Sequence, residues 1–136
     1  MPQMIFVNLP VADLKRSVAF HERLGAVRNP QFSDDTAACM VLSETIFVML
    51  LTHAKFSEFT TKPIVDAHSS AQVLICLSCE SRAAVDGAVE AAISAGGTPD
   101  PTPTQDFGFM YGRSYEDPDG HIWEVMWMDP SSIPPA

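Results

Sequence analysis

The chain has 136 residues, 46% of them hydrophobic, and sets 8 Lys and Arg against 17 Asp and Glu for a formal charge of -9. That length supports an apolar core without disulfides or a structural metal, and the scattered cations form no basic stripe that could neutralise a phosphate backbone. With no apolar run near the roughly 18 residues of a membrane span and no secretory signal in MPQMIFVNLPVADL, nucleic acid and membrane are excluded as expected partners and a cytoplasmic protein is predicted.

The acid excess is read as a soluble surface rather than as a field built for a cationic ligand. Cys39, Cys76 and Cys79 make an odd count, expected to stay reduced inside a cell. Cys76 and Cys79 spell C-x-x-C, but VLICLSC reads as a strand. Its rise places α-carbons three residues apart at about 10 Å, on opposite faces, beyond the ~7 Å that a disulfide spans. Packing thiols are the expected role.

In chain order, IFVNLPV at 5–11 reads as a strand, Asp13 as a helix N-cap, LKRSVAFHERL as a helix and Gly25 as its stop. Leu14, Val18 and Leu24, flanked by Phe20, form the expected apolar stripe. Two strands follow, AACMVLS at 37–43 and TIFVMLLT at 45–52, joined through Ser43-Glu44. Residues 54–71 are a polar connection with room for a short helix between Ala54 and Phe59.

The order then recurs. VLICLSC at 73–79 is a strand, Ser81 an N-cap, RAAVDGAVEAAISA a helix with Val85, Val89, Ala92 and Ile93 on one face, and Gly96-Gly97 its stop. After the loop TPDPTPTQD come the strand-like runs FMYGRSYE and HIWEVMW, joined by Asp117-Pro118-Asp119-Gly120, a hairpin corner with proline second and glycine fourth. Residues 5–13 align with 73–81, and 45–50 with 121–126, which predicts one unit written twice.

The opening NLPVADLKRSVAFHERLG and the closing YEDPDGHIWEV resemble the first strand-helix and last hairpin of the vicinal oxygen chelate superfamily, which holds glyoxalase I, bleomycin-resistance and fosfomycin-resistance proteins and extradiol dioxygenases. FVNLPVADL together with FGFMYGRSYEDPDGHIWEVMWMDP is similar to the lactoylglutathione lyase branch. The resemblance covers nearly all of residues 1–136. It implies an α+β domain of two βαβββ modules, about 1–53 and 72–130, whose strands form a curved mixed sheet with a concave ligand cup. It also implies frequent homodimers and, in metal-using members, an octahedral cation held by strand histidines and glutamates.

Glu124 falls where the resemblance places the last-strand glutamate ligand. The corresponding positions on the other strands are Phe6, Leu74 and the Val48 and Leu50 pair, none of which is a metal ligand. His21, His53, His68 and His121 fall outside the strand interiors and are expected to be solvated or packed. One carboxylate does not hold an oxygen-preferring ion, which needs about three or four donors. No cofactor is therefore expected, a divalent metal entering only if Glu124 finds partners.

The expected site is a cup lined by Phe6, Leu50, Leu74 and Met126, with Asn8, Cys76 and Glu124 as polar points, suited to a small, mostly apolar ligand. Alternation in FMYGRSYE adds Tyr111 and Arg113. On a concave face Arg113 would clamp an anionic group or pair with Glu124 across the sheet; on an exposed face it would pair with Glu116 or Asp117. Burial would raise the pKa of Glu124 and fit it to act as a base. Two functions follow: a lactoylglutathione lyase-type lyase or isomerase with a degenerate metal site and Glu124 as catalytic residue, or a metal-free small-molecule sequestration protein of the bleomycin-resistance type.

Overall fold

A computed structural model describes residues 2–132, which divide into two compact units with the boundary between Asp66 and Ala67. Among these residues no helix is long and apolar enough to cross a membrane. Both units are mixed α+β and follow one plan.

The first unit opens with β1, Ile5–Val11, in which Leu9 and Val11 are buried while Phe6 and Asn8 on the other face are exposed. Asp13 caps helix α1, Leu14–Arg23, by accepting a 3.1 Å hydrogen bond from the Arg16 amide. The deepest residues of α1 are Ser17, Phe20 and His21, with Leu14, Val18 and Leu24 half-buried beside them. The buried face is thus more polar than the predicted aliphatic stripe, and apolar spacing alone pointed to its edges. Gly25 turns the chain at φ 102°, where a side chain would be strained.

A short strand the sequence did not signal, β2, Val27–Asn29, precedes a single 3₁₀ turn at Pro30–Phe32. Strands β3, Ala37–Val41, and β4, Ile46–Thr52, then form an antiparallel hairpin. Its connection is longer than the predicted Ser43-Glu44 pair. The Leu42 and Ser43 amides both donate to the Ile46 carbonyl, and Ser43 Oγ accepts from the Thr45 and Ile46 amides. The serine side chain thereby satisfies a wider turn that needs no Asn-Gly. The chain ends this unit in α2, His53–Phe56. The sheet order is β1-β4-β3-β2, with β1 and β4 parallel.

The second unit repeats the plan. Strand β5 is confined to Ile75–Ser78, shorter than the predicted 73–79, and leaves Val73 and Leu74 exposed before it. Ser81 caps α3, Arg82–Ser94, accepting from the Ala84 amide, and Val85, Val89 and Ala92 are fully buried. Ile93, predicted on that face, is exposed; eight residues past Val85 it has drifted about 80° around a 3.6-residue helix. Two short strands follow, β6, Thr98–Pro99, and β7, Gln105–Asp106, both pairing with β8, Met110–Glu116. Strand β9, Ile122–Met128, lies antiparallel to β8 and parallel to β5, giving the order β5-β9-β8-β6. First strand beside last, in parallel, is the arrangement of both units.

The corner between β8 and β9 is held by the Asp117 carboxylate. One oxygen accepts from the Asp119 and His121 amides, 3.0 Å each, and the other from the Trp123 indole at 3.1 Å. Asp117 is 3% exposed, and burial pushes its carboxyl above the usual range, opposed by the His121 charge and the Trp123 N–H. Gly120 closes the turn at φ 88° with its amide on the Asp117 carbonyl. A methyl group there would lie 2.6 Å from the His68 amide nitrogen and 2.8 Å from the Ala67 carbonyl carbon. Both the dihedral and the backbone contact exclude a side chain. Gly120→Ala is expected to cost about 3 kcal/mol, read as a lower urea midpoint with unchanged slope; a variant within experimental error of wild type would refute this account of the corner.

Candidate ligand-binding site

The register of β9 decides what faces what. Glu124 pairs with Cys76 on one side and Ser114 on the other, and Met126 with Ser78 and Gly112, so these side chains share a face. Trp123 and Val125, nearly fully buried, turn the opposite way, as do their β8 partners Tyr115 and Arg113. The predicted grouping of Cys76, Glu124 and Met126 on one face is what the strands produce.

Over that face the chain between β6 and β7 folds back. Asp100, at φ 52°, donates its amide to the Ser114 carbonyl, and the buried Ser114 hydroxyl accepts from both the Thr102 amide, 3.1 Å, and the Thr102 hydroxyl, 2.7 Å. The result is a recess of about 70 Å³ walled by Thr102, Pro103 and Gln105, floored by Cys76, Met110, Glu124 and Met126, and bordered by Arg113 and Val125, whose side chains alternate to the other face. Gly112 forms part of the floor. A methyl group there would rest 3.6–3.7 Å from its neighbours, so it would fit and would fill space. Glu124 is half-buried and, among the described residues, takes part in no hydrogen bond or ion pair. The neighbouring Cys76 thiol is pushed up by burial, then by the Glu124 charge and Cys79, which keeps it protonated and a poor nucleophile.

Three predicted placements require correction. Leu50 does not share a face with Phe6 and Asn8: its parallel partner is Leu9, those of Phe6 and Asn8 are Phe47 and Met49, and Leu50 is fully buried. The run IFVMLLT is apolar at every position, so alternation could not fix its parity. Leu74 lies outside β5 and is exposed. Tyr111 and Arg113 are on the face opposite Glu124, and Arg113 pairs with neither Glu124 nor the alternatives Glu116 and Asp117.

Arg113 is instead gripped by two carboxylates. Nε and Nη2 donate to Asp100 at 3.1 and 2.8 Å, and Nη1 donates to Asp86 of α3 at 2.9 Å, where the Tyr111 hydroxyl also donates at 2.7 Å. These bonds lower the pKa of Asp86 and Asp100. Arg82 makes a second clamp, bidentate to Asp106 at 3.0 and 2.8 Å and donating to the Gly108 carbonyl, its guanidinium 5.1 Å from the Tyr111 ring and 5.4 Å from that of Trp127. Sequence alternation aligned Tyr111 and Arg113 but could not supply partners 13 and 27 residues away. Ser114 and Thr102 were missed for the same reason, although the proline-rich loop marked the place.

In the first unit, Phe6 stacks on Phe47 at 4.7 Å between ring centres, and Asn8 lies two residues on with its amide donated to the Phe6 carbonyl. No metal ligand is among them. Around Glu124 the other side chains bring a protonated thiol, thioether sulfur, the Thr102 hydroxyl and the Gln105 amide, with no second carboxylate and no imidazole among the described residues to complete the donor set of an octahedral cation. Among the described residues no group of three or more His, Cys, Asp or Glu side chains gathers to hold a metal. The side chains present do not fit the cation of metal-using relatives.

Comparison with known proteins converges on one group. The family model described as Glyoxalase/Bleomycin resistance protein/Dioxygenase superfamily matches residues 3–125. No curated protein matches the chain. Among solved structures, the hypothetical protein SA1046 from S. aureus is 26% identical with a TM-score of 0.77, covering 93% of this chain and 94% of its own. A glyoxalase/bleomycin resistance protein/dioxygenase family enzyme from Burkholderia phytofirmans PsJN is 16% identical, TM-score 0.75, over 93% and 99%. The fosfomycin resistance protein FosX from Listeria monocytogenes is 16% identical, TM-score 0.67, over 100% and 96%. These likenesses are to the fold.

The Arg82 clamp has a pH signature. Hydrogen bonds from Arg82 and the Gly108 amide hold Asp106 at about 2 against its ordinary 3.8. A depressed carboxyl stabilises the fold above its unfolded pKa, and that contribution is lost as pH falls through the folded value. Acid unfolding of wild type should therefore be steeper than that of Asp106→Asn between pH 3.8 and about 2, with the difference reduced by salt; superimposable acid limbs would show that the clamp contributes nothing to folding.

Proposed function

Because the chain belongs to the Glyoxalase/Bleomycin resistance protein/Dioxygenase superfamily, we propose that it is a small-molecule binding protein that sequesters its ligand at the Glu124 face of the second unit without a resident metal. The observation that carries this reading is the fate of Arg113. Proton abstraction beside a carbonyl needs a base and an electrophile to stabilise the enediolate. Glu124 supplies the first, while Arg113, which borders the recess and could supply the second, has its guanidinium engaged by Asp86 and Asp100. What remains at the recess is a carboxylate among thioethers, a thiol, a hydroxyl and an amide, which orients a ligand rather than transforms it.

A second reading, a lactoylglutathione lyase-type isomerase, is favoured by Glu124 itself. Its half-buried carboxylate makes no side-chain hydrogen bond among the described residues and is open toward the recess. Without an oxyanion partner such a base forgoes a factor of about 10²–10³. The homodimer implied by the family is part of the same proposal.

The readings separate experimentally. Sequestration predicts less than one equivalent of metal in the purified protein, and glyoxalase turnover no greater with nickel, cobalt or zinc than without. Turnover that rises with those ions and disappears in Glu124→Ala would establish the isomerase instead. Since an added methyl at Gly112 fits without clash, Gly112→Ala is expected to keep or raise Tm and to weaken by about tenfold any ligand found by thermal shift; unchanged affinity would move the site away from the recess.

A further inference from the structure

The recess is small. Its volume of about 70 Å³ is several times the roughly 10–15 Å³ that one water needs on the same measure, room for a small head group while the remainder of a larger ligand lies outside. Its lining identifies that group. Glu124 brings a formal negative charge with no cation paired to it among the described residues. Thr102 and Gln105 add oxygens that accept hydrogen bonds, and Met126 and Pro103 add apolar surface of the kind that packs against carbon next to a charged nitrogen.

The surrounding charge points the same way. Of the formal charge of -9, all but one falls in residues 67–136, where ten acids meet two cations, Arg82 and Arg113. Neither cation is available to an incoming anion: Arg82 is bidentate to Asp106, and Arg113 is outnumbered by Asp86 and Asp100. An anionic head group would enter a negative field with no free donor cation, whereas an ammonium group would be drawn in and would satisfy the carboxylate.

Resting on the binding reading above, we infer that the ligand is a small organic cation, a protonated amine on an apolar body, whose charged nitrogen enters the recess against Glu124. The composition alone favoured a merely soluble acidic surface; confinement of the charge to the unit that carries the recess reverses that preference.

The test uses three probes of one length, hexylammonium, 1-hexanol and hexanoate, titrated at millimolar concentration into the full chain with methyl-labelled methionine, reading the Met110 and Met126 methyl resonances. Hexylammonium should bind at least about tenfold more tightly than hexanol, hexanoate most weakly, and added salt should narrow the gap. Glu124→Gln should bring hexylammonium to the level that hexanol shows with the same variant. Hexanoate binding as well as hexylammonium, or a preference that survives Glu124→Gln, would overturn the cation inference while leaving a binding site in place. No shift of either methyl with any probe would overturn the binding reading and this inference with it.

Discussion

The second unit is organised by one buried carboxylate. Asp117 satisfies two turn amides and the Trp123 indole at once, which joins the conformation of the corner to the depth at which β9 packs. Because side chains alternate along a strand, fixing Trp123 inward fixes Glu124 outward; a slip of one residue would bury the acid and expose the indole. Desolvating Asp117 is unfavourable, and three donated hydrogen bonds offset the cost. Gly120 completes the device by letting the backbone at 67–68 lie against the corner, where any side chain would intrude.

Much of this was legible in the chain. The paired strand-helix openings, Asp13 and Ser81 as caps, and Asp117 to Gly120 as a corner all follow from local chemistry: a side chain beside the amides it serves, or a glycine at a positive φ. Glu124, Cys76 and Met126 could be grouped because IWEVM and ICLS have polar residues that reveal their alternation. Where every residue is apolar, as around Leu50, parity is invisible, and a strand buried on one face cannot be told from its one-residue shift. Partners distant in sequence were equally hidden. The sequence offered Arg113 an anionic ligand, Glu124 or the adjacent Glu116 and Asp117, yet the fold brings Asp86 and Asp100 within 3 Å.

The two units share topology and differ in chemistry. The β1 and β4 face carries stacked Phe6 and Phe47 beside Asn8, an apolar surface with one amide. The β5 and β9 face carries the acid, the thiol and the recess. Repetition of a backbone plan has therefore not repeated a site. Arg113 shows how that divergence works at one residue: a guanidinium on a central strand, paired to Asp86 of α3 and to Asp100, contributes to holding β8 against α3.

The parallel pairing of first with last strand sets an order on assembly. Ile5 meets Ile46 and Ile75 meets Trp123, so each edge strand stays without its ladder until some 40 to 50 residues more have been synthesised. During translation, β1 acquires its neighbour once β4 emerges, whereas β5 must wait for residues 123–126. Closing such spans requires chain entropy to be surrendered before any pairing rewards it. The nascent protein thus has the strands of its first sheet in hand well ahead of those of its second, and the unit bearing Glu124 follows the other.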